Sequence, residues 1–150
     1  MHLEDGRPDL LVGAPEEPDA VDRVLAAEVV APVPLHPLRL FARRYNQAAE
    51  IARPLARRAG LDYLPDALAR TRDTKSQGGK SGRGRRMNVR GAFVVADSAR
   101  VAGKRVLLVD DVFTTGATAE ACAKALLAAG AAGVDVACVA RVREAGELPI

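Results

Sequence analysis

Asp110 and Asp111 are adjacent carboxylates at the end of an apolar run, in the stretch VLLVDDVFTTGAT that spans residues 106–118. Like charges held side by side at the mouth of a buried segment repel each other unless something offsets them. Carboxylates are acceptors, so the pair suits sugar hydroxyls or a hard cation such as Mg²⁺. The residues that follow, Thr114, Thr115, Gly116, Ala117 and Thr118, suit a phosphate instead. A loop feeding a helix offers free backbone N–H groups and a positive dipole end. Gly116 would let the backbone approach closely, and three threonine hydroxyls add donors. The ligand implied carries a phosphate at one end and a vicinal diol beside it, and a ribose 5-phosphate fits. A plain strand-to-helix turn with threonine as N-cap accounts for one threonine. It leaves the two carboxylates without a reason.

The elements around this stretch must hold it at a rim. RVLLVDD, 105–111, is the clearest strand, and ATAEACAKALLAAG, 117–130, is an Ala-rich helix stopped by Gly130. GVDVACVARV, 133–142, is the next strand. Upstream, VDRVLAA at 21–27 suits a short helix, and EVVAPVPL at 28–35 a buried strand ended by its prolines. RRYNQAAEIARPLARRAG, 43–60, has helical spacing, with Pro54 expected to kink or restart it and Gly60 to end it. Residues 62–69 and GAFVVA, 91–96, read as strands, and residues 1–20 as a loose arm ahead of a domain at 21–150. Continuous apolar runs such as VLLV belong in parallel sheets covered on both faces. The expectation is an α/β fold with a mostly parallel central sheet flanked by helices. In such sheets ligands bind beyond the carboxyl ends of the strands, where Asp110 and Asp111 fall.

Composition narrows the function classes. The 150 residues suit one domain, and 49% of them are apolar, enough for a core. No window is apolar for long enough to span a bilayer. The first residues show no basic and apolar signal pattern, so the cytoplasm is the expected compartment. Cys122 and Cys138 have no metal-ligand spacing and read as small buried residues. Charge is uneven. Residues 70–90 hold eight basic residues and one acid, a local +7 in a chain whose total is +3, so the remainder carries −4. Glycines at 78, 79, 82 and 84 break up residues 71–90, which read as a mobile loop. Its charge points to an anionic partner, a phosphorylated small molecule or nucleic acid. Nucleic acid is the less favoured of the two, because no aromatic residue is interleaved for base stacking. GGKSG at 78–82 is not an ATPase phosphate loop: that motif needs glycine where Thr74 stands.

Apolar run, two acids and T-x-G-x-T together resemble the 5-phosphoribosyl 1-diphosphate (PRPP) signature of type I phosphoribosyltransferases. VVAPVPLHPLRLFARRYNQAAEIA at 29–52, TRDTKSQ at 71–77 and RRMNVRGAFVV at 85–95 resemble the competence-type ComF subfamily. The resemblance covers about residues 29–142. Many ComF-type proteins carry an N-terminal Cys₄ zinc ribbon; no cysteine precedes Cys122, so none is expected in this chain.

The resemblance implies a Mg²⁺-dependent glycosyltransferase that moves ribose 5-phosphate from PRPP to a nitrogen nucleophile and releases pyrophosphate. It implies that Asp110 and Asp111 hold the ribose hydroxyls, directly or through Mg²⁺, and that Thr114 to Thr118 form the 5-phosphate loop. The pyrophosphate loop maps to Leu35, His36 and Arg39, where His36 either touches the diphosphate or is a half-exposed turn residue. Arg43, Arg44, Asn46 and Gln47 start the next helix, the basic ones meeting the leaving group or facing solvent. The basic segment maps to a mobile hood, with Lys75, Gln77, Lys80, Arg83, Arg85 and Arg86 as its candidates and no assignable role for Gln77 or Asn88. Purine-salvage members carry an acid at the position of Thr114, so hypoxanthine or guanine salvage is disfavoured. The family also includes homodimers. A PRPP or nucleotide sensor on the same fold, or a DNA-uptake protein, are the alternatives to an enzyme.

Overall fold

The computed structural model describes residues 11–12, 18–35, 44–71, 91–113 and 116–141. In chain order the elements are β1 (Leu11–Val12), α1 (Pro18–Ala26), β2 (Val29–Pro32), α2 (Gln47–Ala59), β3 (Asp62–Tyr63), β4 (Leu68–Arg70), β5 (Phe93–Val95), β6 (Arg105–Phe113), α3 (Ala117–Ala128) and β7 (Gly133–Arg141). A single 3₁₀ turn, Ser98–Arg100, precedes β6. The main sheet has the order β1-β7-β6-β2-β3, and all of its pairings are parallel. The expected α/β architecture is what the chain forms.

β6 is the central strand because both of its faces are apolar. Val106, Leu107, Leu108 and Val109 are each at most 1% exposed. Their side chains alternate across the sheet. Val106 and Leu108 join Val29, Ala31, Val134, Val136 and the α3 residues Cys122, Ala123 and Leu126 in one cluster. Leu107 and Val109 join Val30, Ala52 and Ala56 in the other, on the α2 face. Helices therefore cover both faces, and each buried leucine or valine contributes about 1.5–3 kcal/mol.

Each helix shows the reason for its packing. In α2, Ala48, Ala52 and Ala56 are buried four residues apart, a stripe of small side chains against β2 and β6. Asn46 caps its start, and Gly60, at φ +67°, ends it with its N–H donating to the Ala56 carbonyl. Of the two outcomes expected at Pro54, a restart does not occur: one helix runs through it. Both Pro54 and Glu50, whose carbonyl the proline leaves without a donor, are exposed, so water can serve that carbonyl. In α3, Ala119, Cys122, Ala123 and Leu126 form the buried face, while Lys124 and Glu120 pair outside at 3.0 Å.

Three expectations are corrected. Residues 62–69 are not one strand. Pro65 and Asp66 turn the chain, so β3 stays in the main sheet while β4 leaves it to pair antiparallel with β5. The arm expected over residues 1–20 is not loose throughout, since Leu11–Val12 pair with Ala137–Cys138 and α1 already starts at Pro18. Cys138 is only half-buried, whereas Cys122 is fully buried. One buried charge needs an account: Asp135 in β7 is 1% exposed, and the Arg105 guanidinium bonds it at 3.4 Å from the adjoining strand.

Candidate functional site

The chain leaves β2 through α2 toward β3 on one side of the sheet, and leaves β6 through α3 toward β7 on the other. The strand order thus reverses between β2 and β6, and their carboxyl ends flank the crevice that a parallel sheet opens at such a point. Pro32 pairs with Val109 in the last rung of β2, and the Val33 N–H still donates to the Val109 carbonyl at 2.8 Å. Beyond that rung β2 leaves the sheet, while β6 continues past Asp110 paired with β7 alone. A cleft of about 250 Å³ opens there, lined by Val33, Pro34, Leu35, Asn46, Gln47, Ala48, Arg70, Asp110, Asp111, Val112 and Thr118.

Asp110 and Asp111 both line this cleft. The Asp111 N–H donates to Asp110 Oδ1 at 2.9 Å. The Asp110 carboxyl is pushed up to about 7, mostly by burial and then by the hydrogen bond and charge of the Asp111 side chain, against the Asp111 N–H and the Arg70 charge, which pull it down. A carboxyl held there exchanges a proton near neutral pH and gains from any cation or hydroxyl that favours its charged form. The neighbouring Cys122 thiol is pushed up by burial and by the Asp110 charge, which leaves it unreactive.

Gly116 starts α3 in the left-handed conformation, φ +80°, and as a glycine offers no side-chain oxygen to the first turn. Ala117 is turned into the core and Thr118 faces the cleft. Of the other residues picked from the sequence, Leu35 lines the cleft and Arg44 is exposed. Thr114, Thr115, His36, Arg39 and Arg43 lie outside the described residues, as do Lys75, Gln77, Lys80, Arg83, Arg85, Arg86 and Asn88 of the basic segment.

Two cleft residues were not singled out as ligand-binding from the sequence. Arg70 ends β4, directly ahead of the basic segment, with its guanidinium 5.3 Å from the Phe93 ring centroid. The signal for it was the strand-like LAR followed by a charge-rich loop. Asn46 caps α2 and also donates from Nδ2 to the Val33 carbonyl at 3.0 Å. An asparagine just before a helical pattern signals the cap, but not the second bond.

A cation here would find the oxygens of Asp110 and Asp111. Among the described residues no group of three or more Asp, Glu, His or Cys could hold a metal. Two hard oxygen ligands suit Mg²⁺ that arrives with a phosphate ligand, which fills the remaining positions with phosphate and water.

The family model of the phosphoribosyl transferase domain matches residues 46–150, from Asn46 through the acid pair to the end of the chain. The chain belongs to the phosphoribosyltransferase family. Within it the similarity is to the ComF type. The chain is 37% identical to competence protein F of Haemophilus influenzae over 115 residues, 76% of this chain and 50% of that one. It is 38% identical to the DNA utilization protein YhgH of Escherichia coli K12 over 112 residues, 75% of this chain and 48% of that one. To competence protein ComFC of Streptococcus pneumoniae the identity is 33% over 102 residues, 68% and 43% of the two chains. This phosphoribosyltransferase-family chain thus spans about half the length of these relatives. Its fold matches the glutamine PRPP amidotransferase of B. subtilis, solved with ADP and GMP, at a TM-score of 0.51 and 27% identity, over 77% of this chain and 24% of that one.

Proposed function

We propose that the cleft binds PRPP with Mg²⁺ and that the protein transfers ribose 5-phosphate from it to a nitrogen nucleophile, releasing pyrophosphate. The observation that carries this is the meeting of Asp110, Asp111 and Thr118 around one cleft at the strand-order reversal. In this reading the carboxylates accept the 2- and 3-hydroxyls of the ribose. Thr114, Thr115, Gly116, Ala117 and Thr118 take the 5-phosphate at the start of α3. Arg70 and the basic segment face the diphosphate, together with Leu35, His36 and Arg39. The C1–O bond breaks as its electron pair leaves on the diphosphate, and the nitrogen lone pair forms the new bond and then sheds a proton. Mg²⁺ supplies charge neutralisation for the leaving diphosphate. The chain's own share is to fix the sugar and to stabilise charge, with no covalent residue required.

Thermal melts with Mg²⁺ and PRPP test the binding. At 100-fold saturation the ligand should add about 2.7 kcal/mol, and Asp110→Asn with Asp111→Asn should remove the gain while the apo protein stays folded. Absence of any gain in the parent protein refutes the reading. EDTA should erase the gain and leave the apo melting temperature where it was.

A second reading has one observation in its favour: several relatives are named for competence or DNA utilization and not for a transfer reaction. The same cleft then senses PRPP or a nucleotide without turning it over. Release of pyrophosphate from PRPP in the presence of bases and amines decides between the two.

A further inference from the structure

The cleft wall opposite the acid pair consists of two chain segments that are distant in sequence. Val33, Pro34 and Leu35 leave the end of β2, and Asn46, Gln47 and Ala48 begin α2. Pro34 has no N–H to give, and Val33 is the last residue of this segment bonded to β6. Among the described residues, one side chain hydrogen-bonds to both segments. Asn46 Nδ2 donates to the Val33 carbonyl at 3.0 Å, and Asn46 Oδ1 accepts from the Ala48 N–H at 3.0 Å. An amide spans this gap because it carries a donor and an acceptor on one planar group. Just ahead of it Arg44 is held at φ +64°, a conformation unusual for a residue with a side chain. Such a backbone persists where its surroundings over-determine it, and Asn46, two residues on, makes two hydrogen bonds.

We infer that Asn46 is a positioning residue for the candidate site: its amide locks the Val33–Leu35 wall to the first turn of α2 and so fixes the cleft width across from Asp110 and Asp111. The inference rests on the PRPP reading for its ligand and on the two bonds for its geometry. Asn46 itself touches no reacting atom. It acts through the carbonyl of Val33 and through the helix that carries Gln47 to the cleft.

Asn46→Ser and Asn46→Ala separate this role from simple capping. Serine caps a helix about as well as asparagine, but it is too short to hold the Val33 carbonyl and the Ala48 N–H at once. Alanine loses both bonds. Two measurements apply: the Kd for PRPP in Mg²⁺ by calorimetry, and apo amide exchange at Val33, Leu35 and Gln47. With Asn46 as positioner, serine and alanine weaken PRPP binding by a similar factor, roughly tenfold, although alanine lowers the melting temperature more. Both also speed exchange at Val33 and Leu35 by roughly tenfold, with β7 unchanged. Should the serine variant bind and exchange like the parent, Asn46 is only a cap and the inference is wrong. Should the parent not bind PRPP, the function proposed above falls, and the exchange at Val33 and Leu35 still decides whether the lock exists. If alanine does not fold, serine alone gives the answer.

Discussion

Asp110 and Asp111 line one cleft and are linked by a bond from the Asp111 N–H to Asp110 Oδ1 at 2.9 Å. This explains how a strand end tolerates two acids. The backbone donor of one serves the carboxylate of the other, and a hydrogen bond between the two side chains favours the protonated form of Asp110. The strain that remains falls on Asp110, whose half-buried carboxyl is raised to about 7.

That raised value has a consequence for stability. Unfolded, Asp110 titrates near 3.8; folded, near 7. Between these the folded state holds more protons, so stability falls as pH rises through the interval and levels off above it. Asp110→Asn should remove this slope. Against the parent it should be more stable by up to about 4 kcal/mol at pH 8 and little different below pH 4. Urea unfolding at several pH values measures the gap, and a gap that does not change with pH contradicts the burial of Asp110.

Gly60 offers a test of the helix end. It stands at φ +67°, and a Cβ there would meet nothing within 4 Å. The penalty for Gly60→Ala is therefore conformational alone, about 1 kcal/mol, or roughly 2–4 °C in melting temperature. Gly60→Asn should lose less, since asparagine tolerates the left-handed region. Equal melting of all three proteins would mean that α2 ends elsewhere.

The parallel sheet was legible because VLLV has no polar face to give to water, and the ends of α3 and β7 were legible from Gly130 and Gly133. The acid pair could be placed at the rim because two charges must end a buried run. Less legible was anything set by contacts between distant segments. Sequence puts 62–69 in one apolar stretch, and only the turn at Pro65–Asp66 sends β4 to pair with Phe93–Val95. The cleft role of Arg70 depends on that pairing, which brings it opposite Phe93. The Asn46–Val33 bond likewise joins residues 13 apart through a loop whose path no local rule gives. At Pro54 the sequence left a kink and a restart open, because the exposure of the proline on α2, which decides how much the lost bond matters, is set by packing.

Core and surface leucines should separate cleanly. Leu126 is fully buried between α3 and the sheet, while Leu25 on α1 is 68% exposed. Leu126→Ala should lower stability by about 2–5 kcal/mol through lost contacts and the cavity left behind. Leu25→Ala should change it by about 0.5 kcal/mol or less. Urea midpoints at constant slope report both. A comparable loss at Leu25 would show that α1 is covered in solution by another surface.

Arg70 links the fold to the proposed chemistry. Its charge lowers the Asp110 titration, and its guanidinium lies over the Phe93 ring. Arg70→Met removes the charge and keeps much of the apolar stem. The Asp110 titration should then move above its present value, read from the pH dependence of its carboxyl carbon signal. PRPP affinity in Mg²⁺ should fall about tenfold or more, which is roughly 1.4 kcal/mol, because the diphosphate loses a cation at the cleft. Arg70→Lys should lie between the two, since an ammonium keeps the charge and loses the planar fork and the ring stacking. The two readouts separate two roles. A shifted Asp110 with unchanged PRPP affinity would restrict Arg70 to supporting the acid, whereas an unshifted Asp110 would mean that the two side chains do not share the cleft.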